Sequence, residues 1–131
     1  MKTINGNWIM KKDETIEGDL KVKGNILGKG GERFNLIVKG NLDCWNLNCW
    51  NLNCCDLDCY DLDCMNLNCC DLDCGDLNCM NLDCKENVSY YAVCFAYNNI
   101  KCKSIEGRRD NSKHFVLDGE IIIDNEEESE K

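Results

Sequence analysis

From Asn41 to Lys85 the chain reads NLDCW NLNCW NLNCC DLDCY DLDCM NLNCC DLDCG DLNCM NLDCK, nine pentads in a row without an insertion. Leucine fills the second place of every pentad, at Leu42, Leu47, Leu52, Leu57, Leu62, Leu67, Leu72, Leu77 and Leu82. Cysteine fills the fourth, at Cys44, Cys49, Cys54, Cys59, Cys64, Cys69, Cys74, Cys79 and Cys84. A period of five fits neither the 3.6-residue helix, around which these leucines would smear, nor the two-residue alternation of a long strand. Each pentad is therefore a short extended piece followed by a turn, and the array is a stack of such pieces.

The array resembles the pentapeptide-repeat family. That resemblance implies an all-β fold, a right-handed quadrilateral β-helix in which each pentad forms one face, four pentads close a coil, and two residues per pentad point inward. The family's usual pentad is a small residue, Asn or Asp, Leu or Phe, then two freer positions, and this chain departs from it. With leucine at the family's central place, its inward partners would include Trp45, Trp50 and Tyr60, which a narrow interior cannot hold at native packing density. With leucine at the first inward place, cysteine becomes the second, and residues two apart on an extended segment share a face. Both frames are open to a chain of this pattern, and side-chain volume favours the second. Its core is a leucine ladder beside a cysteine ladder. On a four-sided coil, residues twenty apart stack, so Cys44 lies under Cys64 and Cys84, Cys49 under Cys69, Cys54 under Cys74, and Cys59 under Cys79.

Residues 1–40 carry a looser repeat, apolar-x-Gly-[Asn/Asp]-apolar, around Gly6, Gly18, Gly24 and Gly40, whose last copy runs into the first pentad. They are expected to form lead-in β-solenoid turns that cap the nine pentads of residues 41–85. Residues 86–123 are expected to form a β-rich carboxy-terminal module, with one or two strands around Asn98-Asn99. This block is similar to a terminal module of short pentapeptide proteins from phage and Firmicute genomes. Residues 124–131 read as an acidic tail.

The 131 residues carry 24 acidic and 15 basic groups, a formal net charge of −9. Residues 41–84 hold nine aspartates and no basic residue, while residues 1–40 and 85–131 cancel at +3 and −3. That balance argues against direct nucleic-acid or membrane binding. No apolar run approaches a spanning helix and no signal-peptide core is evident, so a cytoplasmic setting, bacterial or phage-encoded, is expected.

Thirteen cysteines invite a metal reading, but the spacing is Cys-x4-Cys and His114 is the only histidine, so neither a metal nor another cofactor is expected. Asn and Asp recur without the glycine pattern of a calcium repeat, and turn-forming side-chain bonds account for them. Four cysteines lie off the ladder, Cys55, Cys70, Cys94 and Cys102, and these are the candidates for reactivity. On a four-sided coil Cys55 and Cys70 fall on different faces, too far apart to bridge. Arg108, Arg109 and His114 share a loop that either holds an anion or is simply solvated. No nucleophile–base pair or phosphate loop is present, and no catalytic residue is assigned.

In the second frame the fifth place of each pentad points outward, yet it holds few polar residues. Trp45, Trp50, Tyr60, Met65 and Cys70 are the candidate interaction surface. The expected function is a non-enzymatic structural or protein-interaction module that associates with itself or a protein partner. The alternative is a DNA mimic acting on DNA gyrase or topoisomerase, as the family resemblance and the acidic array together suggest.

Overall fold

The computed structural model describes residues 2–123. The expected acidic tail, 124–131, lies outside the described residues. The chain is an all-β solenoid of seven coils whose strands pair only in parallel, each with the coil before and after it. Each coil has three sides. The first face stacks Lys2–Asn5, Leu20–Lys23, Leu42–Asp43, Leu57–Asp58, Leu72–Cys74, Asn87–Tyr90 and Ser104–Gly107. The second face starts at Trp8–Met10 and ends at Lys113–Val116, and the third starts at Glu14–Glu17 and ends at Ile121–Ile123. Two longer strands, Leu77–Cys84 and Val93–Cys102, run round the corner from the second face to the third and join them into one sheet.

The expectation of four sides is corrected by the register. Leu42 pairs with Leu57 and Leu57 with Leu72, Leu47 with Leu62 and Leu62 with Leu77, Leu52 with Leu67 and Leu67 with Leu82. Every step is fifteen residues, so three pentads close a coil. The cysteine columns are accordingly Cys44–Cys59–Cys74, Cys49–Cys64–Cys79 and Cys54–Cys69–Cys84, not the stacks twenty apart. A five-residue period sets the length of a side but leaves the number of sides open. What chooses fifteen is the set of residues that must stack on each other at the corners and edges.

All nine ladder leucines and all nine ladder cysteines are buried, so leucine takes the first inward place and cysteine the second. The flanks continue these columns with other apolar residues. Leu20 and Val88 extend the first leucine column, Ile26 the second, and Leu36 and Ile100 the third. Residues 2–39 thus make two lead-in coils of the same prism, at spacings of 18 and 22 residues. Gly24 and Gly40 sit at corners where a Cβ would strike the backbone of Gly6 and Gly18 one coil below. The strand Val93–Cys102 is continuous through Asn98-Asn99, where it rounds the corner between the second and third faces with a bulge opposite Met80.

The first place of each pentad ties coil to coil. On the first face Asp56 N–H donates to Asn41 Oδ1 at 3.1 Å, and Asp71 N–H to Asp56 Oδ1 at 3.3 Å. On the second, Asp61 N–H donates to Asn46 Oδ1 at 3.2 Å and Val93 N–H to Asp76 Oδ1 at 3.1 Å. These bonds reach the next coil and are not the local turn bonds expected from sequence. They need only an acceptor oxygen, so Asn and Asp serve alike. The third face differs. There Asn66 Nδ2 donates to Asn51 Oδ1 at 2.8 Å, and Asn81 Nδ2 donates to Asn66 Oδ1 at 2.9 Å. Asn51 and Asn66 each use both ends of the amide, and aspartate has no donor to offer.

Asn66→Asp is therefore expected to lower stability by about 1 kcal/mol, whereas Asp56→Asn keeps its acceptor and relieves repulsion. Thermal unfolding of the two variants should show a lower midpoint for the first and an equal or higher one for the second. Leu62→Ala, at the centre of the core, is expected to cost about 2–5 kcal/mol in the same measurement.

Candidate interaction surface

The fifth residues of the pentads fall into three corner columns, each held by a backbone bond from one coil to the next. Between the first and second faces, Tyr60 N–H donates to the Trp45 carbonyl at 2.8 Å, and Gly75 and Tyr91 continue the column. The Trp45 and Tyr60 rings stack with centroids 6.4 Å apart and planes at 17°. Between the second and third faces, Met65 N–H donates to the Trp50 carbonyl at 2.6 Å and Met80 N–H to the Met65 carbonyl at 2.7 Å. Between the third and first, Cys70 N–H donates to the Cys55 carbonyl at 2.8 Å. The five candidate surface residues thus occupy all three corners, and Cys70 stands apart from the other four.

What gathers the apolar surface is the second face. Among the described residues thirteen large hydrophobics are exposed, and ten of them lie on that face or its two edges. Trp45, Tyr60 and Tyr91 line one edge and Trp50, Met65, Tyr97 and Leu117 the other, with Ile9, Val93 and Phe115 on the face itself. Phe95 and Phe115 pack together at 5.0 Å on neighbouring coils. Tyr91, Tyr97, Phe115 and Leu117 were not among the sequence candidates. The signal for them was strand alternation in residues 91–97, which only the coil register turns into a position beside Trp45 and Trp50.

The other faces differ in chemistry. Regrouped in threes, the pentads place Asp43, Asp56, Asp58, Asp71 and Asp73 on the first face, Asp61, Asp63 and Asp76 on the second, and Asp83 alone on the third. None of the exposed large hydrophobics lies on the first face. Asp58 stands in the middle of the column Asp43–Asp58–Asp73, and its pKa is raised by burial and then by those two neighbouring carboxylates. Arg108 offsets part of this charge, donating to Asp73 Oδ1 at 2.6 Å, to Ser89 Oγ at 2.8 Å and to the Cys74 carbonyl at 2.9 Å. His114 instead turns inward, its Nδ1 at 2.7 Å from the hydroxyl of buried Tyr90. Arg108 and His114 therefore do not converge on an anion.

All thirteen cysteines are free thiols. Cys94 and Cys102, two of the four candidates for reactivity, are buried: Cys94 sits above Leu77 in a leucine column, and Cys102 lies above Cys84 in a cysteine column. Burial pushes Cys49, Cys54, Cys74 and Cys79 up to about 12, and Cys102 to about 11. Only Cys55 is exposed and Cys70 half-buried. These two are neighbours on successive coils and not residents of different faces, a direct consequence of the fifteen-residue coil. Among the described residues no group of three or more His, Cys, Asp or Glu is placed to hold a metal ion, and no helix is long and apolar enough to cross a membrane.

No protein-family model, no curated protein and no solved structure matches the chain.

Two measurements follow from this surface. With an alkylating reagent on the native chain at pH 8, two thiols are expected to react quickly and eleven only on unfolding, mass spectrometry placing the label on Cys55 and Cys70. Asp58 has its pKa raised by folding, so its contribution favours the fold at low pH and is lost as pH rises through the raised value. Asp58→Asn should therefore raise the thermal midpoint at pH 7, and that gain should vanish as pH falls below the ordinary aspartate range.

Proposed function

We propose that this chain is a non-enzymatic interaction module, a three-sided variant of the pentapeptide-repeat class that associates with a second copy through its second face. The observation that carries the reading is the concentration of exposed aromatic and aliphatic side chains on one flat face of an otherwise acidic or amide-covered prism. Exposed apolar area of this extent on a rigid scaffold marks a docking surface. The face is about 29 Å long, six coil steps of about 4.8 Å, and about 17 Å wide, five residues at about 3.3 Å. Two such faces together bury about 1,000 Å², the lower edge of specific interfaces, so the association is weak and concentration-dependent. A second copy suits it because a flat sheet packs best on another flat sheet, while Asp61, Asp63 and Asp76 of the same face repel across the contact and keep the association weak. A cytoplasmic setting accords with thirteen unpaired thiols.

The DNA-mimic reading has one observation in its favour, the five aspartates of the first face. They span three coils, about 10 Å, which matches the charge density of a duplex over only about three base pairs. The face is too short to compete for a protein that grips a longer duplex.

Sedimentation velocity tests the proposal. The wild-type chain should shift from monomer to dimer as its concentration rises, Trp50→Asp and Phe115→Asp should each remove the shift, and Ile37→Asp on the third face should not. A chain that stays monomeric at every attainable concentration contradicts self-association.

A further inference from the structure

The corner between the third and first faces holds a feature that the interaction surface does not use. Cys55 and Cys70 stand on successive coils in register: Cys55 N–H donates to the Gly40 carbonyl at 2.9 Å, Cys70 N–H to the Cys55 carbonyl at 2.8 Å, and Glu86 N–H to the Cys70 carbonyl at 2.9 Å. The two residues are thus related by one coil step, about 4.8 Å along the axis. Both side chains leave the same corner into solvent, and Gly40 below them presents no side chain of its own.

We infer that Cys55 and Cys70 form a two-thiolate site for a soft monovalent d10 cation of the Cu(I) class. Two thiolates one coil step apart span about the length of two collinear metal–sulfur bonds of about 2.3 Å each. A disulfide is the competing use of the same pair, because one coil step also lies within the Cα separation of a disulfide, and the test below separates the two. Zinc fits less well, since it needs four ligands. One oxygen of each neighbouring carboxylate is engaged, Asp56 Oδ1 accepting from Asp71 N–H and Asp71 Oδ1 from Asn87 N–H, and His114 is held by Tyr90. Thiolate ligands select soft ions over the hard cations that the aspartates would attract. Binding exchanges two thiol protons, released to solvent, for one cation, with no change of oxidation state. Burial, Cys55 and the carboxylates of Asp56 and Asp71 raise the pKa of Cys70, with Lys85 opposing them, so the cation has to displace the thiol protons. The other eleven thiols are enclosed in the prism, where an ion would have to enter without its hydration shell.

The test is anaerobic titration of the reduced full-length chain with Cu(I) against a chromophoric chelator. The expected result is one Cu(I) per chain, protection of two thiols from alkylation, and an unchanged sedimentation coefficient at a concentration where the chain is monomeric. Cys55→Ser and Cys70→Ser should each weaken binding by more than the roughly 100-fold that an outer-shell partner is worth. Their thermal midpoints without metal should equal that of the wild type, because both side chains stand outside the core. Uptake that persists in both variants, a copper-linked dimer, or a Cys55–Cys70 disulfide that forms under mild oxidation and leaves the fold intact would each overturn the assignment.

Discussion

The backbone bond from each corner to the same corner of the next coil organises everything else in this molecule. Tyr60 to Trp45, Met80 to Met65 and Cys70 to Cys55 are all N–H to carbonyl contacts of 2.7–2.8 Å, and all join residues fifteen apart. Once that register is set, leucine stacks on leucine and cysteine on cysteine through the pentads, other apolar residues continue the columns in the flanks, and the Asn or Asp at the first place of each of the first eight pentads meets a backbone or amide donor one coil on. A slip of one pentad would preserve the leucine and cysteine columns, since every pentad supplies both. It would break the asparagine ladder of the third face and set Met65 over Trp45. The core makes the prism stable, but the surface decides how it is wound.

The same register sorts the chemistry of the surface. Aspartate is concentrated on the first face, exposed rings and aliphatic chains on the second with its edges, and amides on the third. Because the faces are flat and rigid, each presents its residues at fixed steps of one coil. A column of like residues is then a regular array, whether of carboxylates that raise each other's pKa, as at Asp58, or of thiols spaced for a single ion, as at Cys55 and Cys70. Function on such a scaffold is a matter of which residue stands at which corner.

The all-β class, the solenoid, and the inward pairing of leucine with cysteine were legible in the pentads, because a period of five excludes a helix and indole rings exclude the other frame. The number of sides was not. It was hidden in slower repeats at the first and fifth places: Asn51, Asn66 and Asn81 against the aspartates, Met65 with Met80, and Cys55 with Cys70. These recur every fifteen residues, a signal that the uniform leucines and cysteines mask. The candidate surface was legible residue by residue but not as a surface, since Trp50 and Phe115, 65 residues apart in sequence, come to the same side of the prism only through the winding of the coils. Cys94 and Cys102 looked free because the flanking coils, 17 to 22 residues long, do not carry the pentad rhythm that would have placed them in the core.

The central claim, that three pentads close a coil, is open to one direct measurement. Scalar couplings across hydrogen bonds, detected by nuclear magnetic resonance on isotope-labelled protein, identify the carbonyl that accepts each amide. Three sides predict that the Tyr60 amide correlates with the Trp45 carbonyl and the Cys70 amide with the Cys55 carbonyl. A correlation of the Met65 amide with the Trp45 carbonyl, twenty residues away, would mean four sides and would contradict the account.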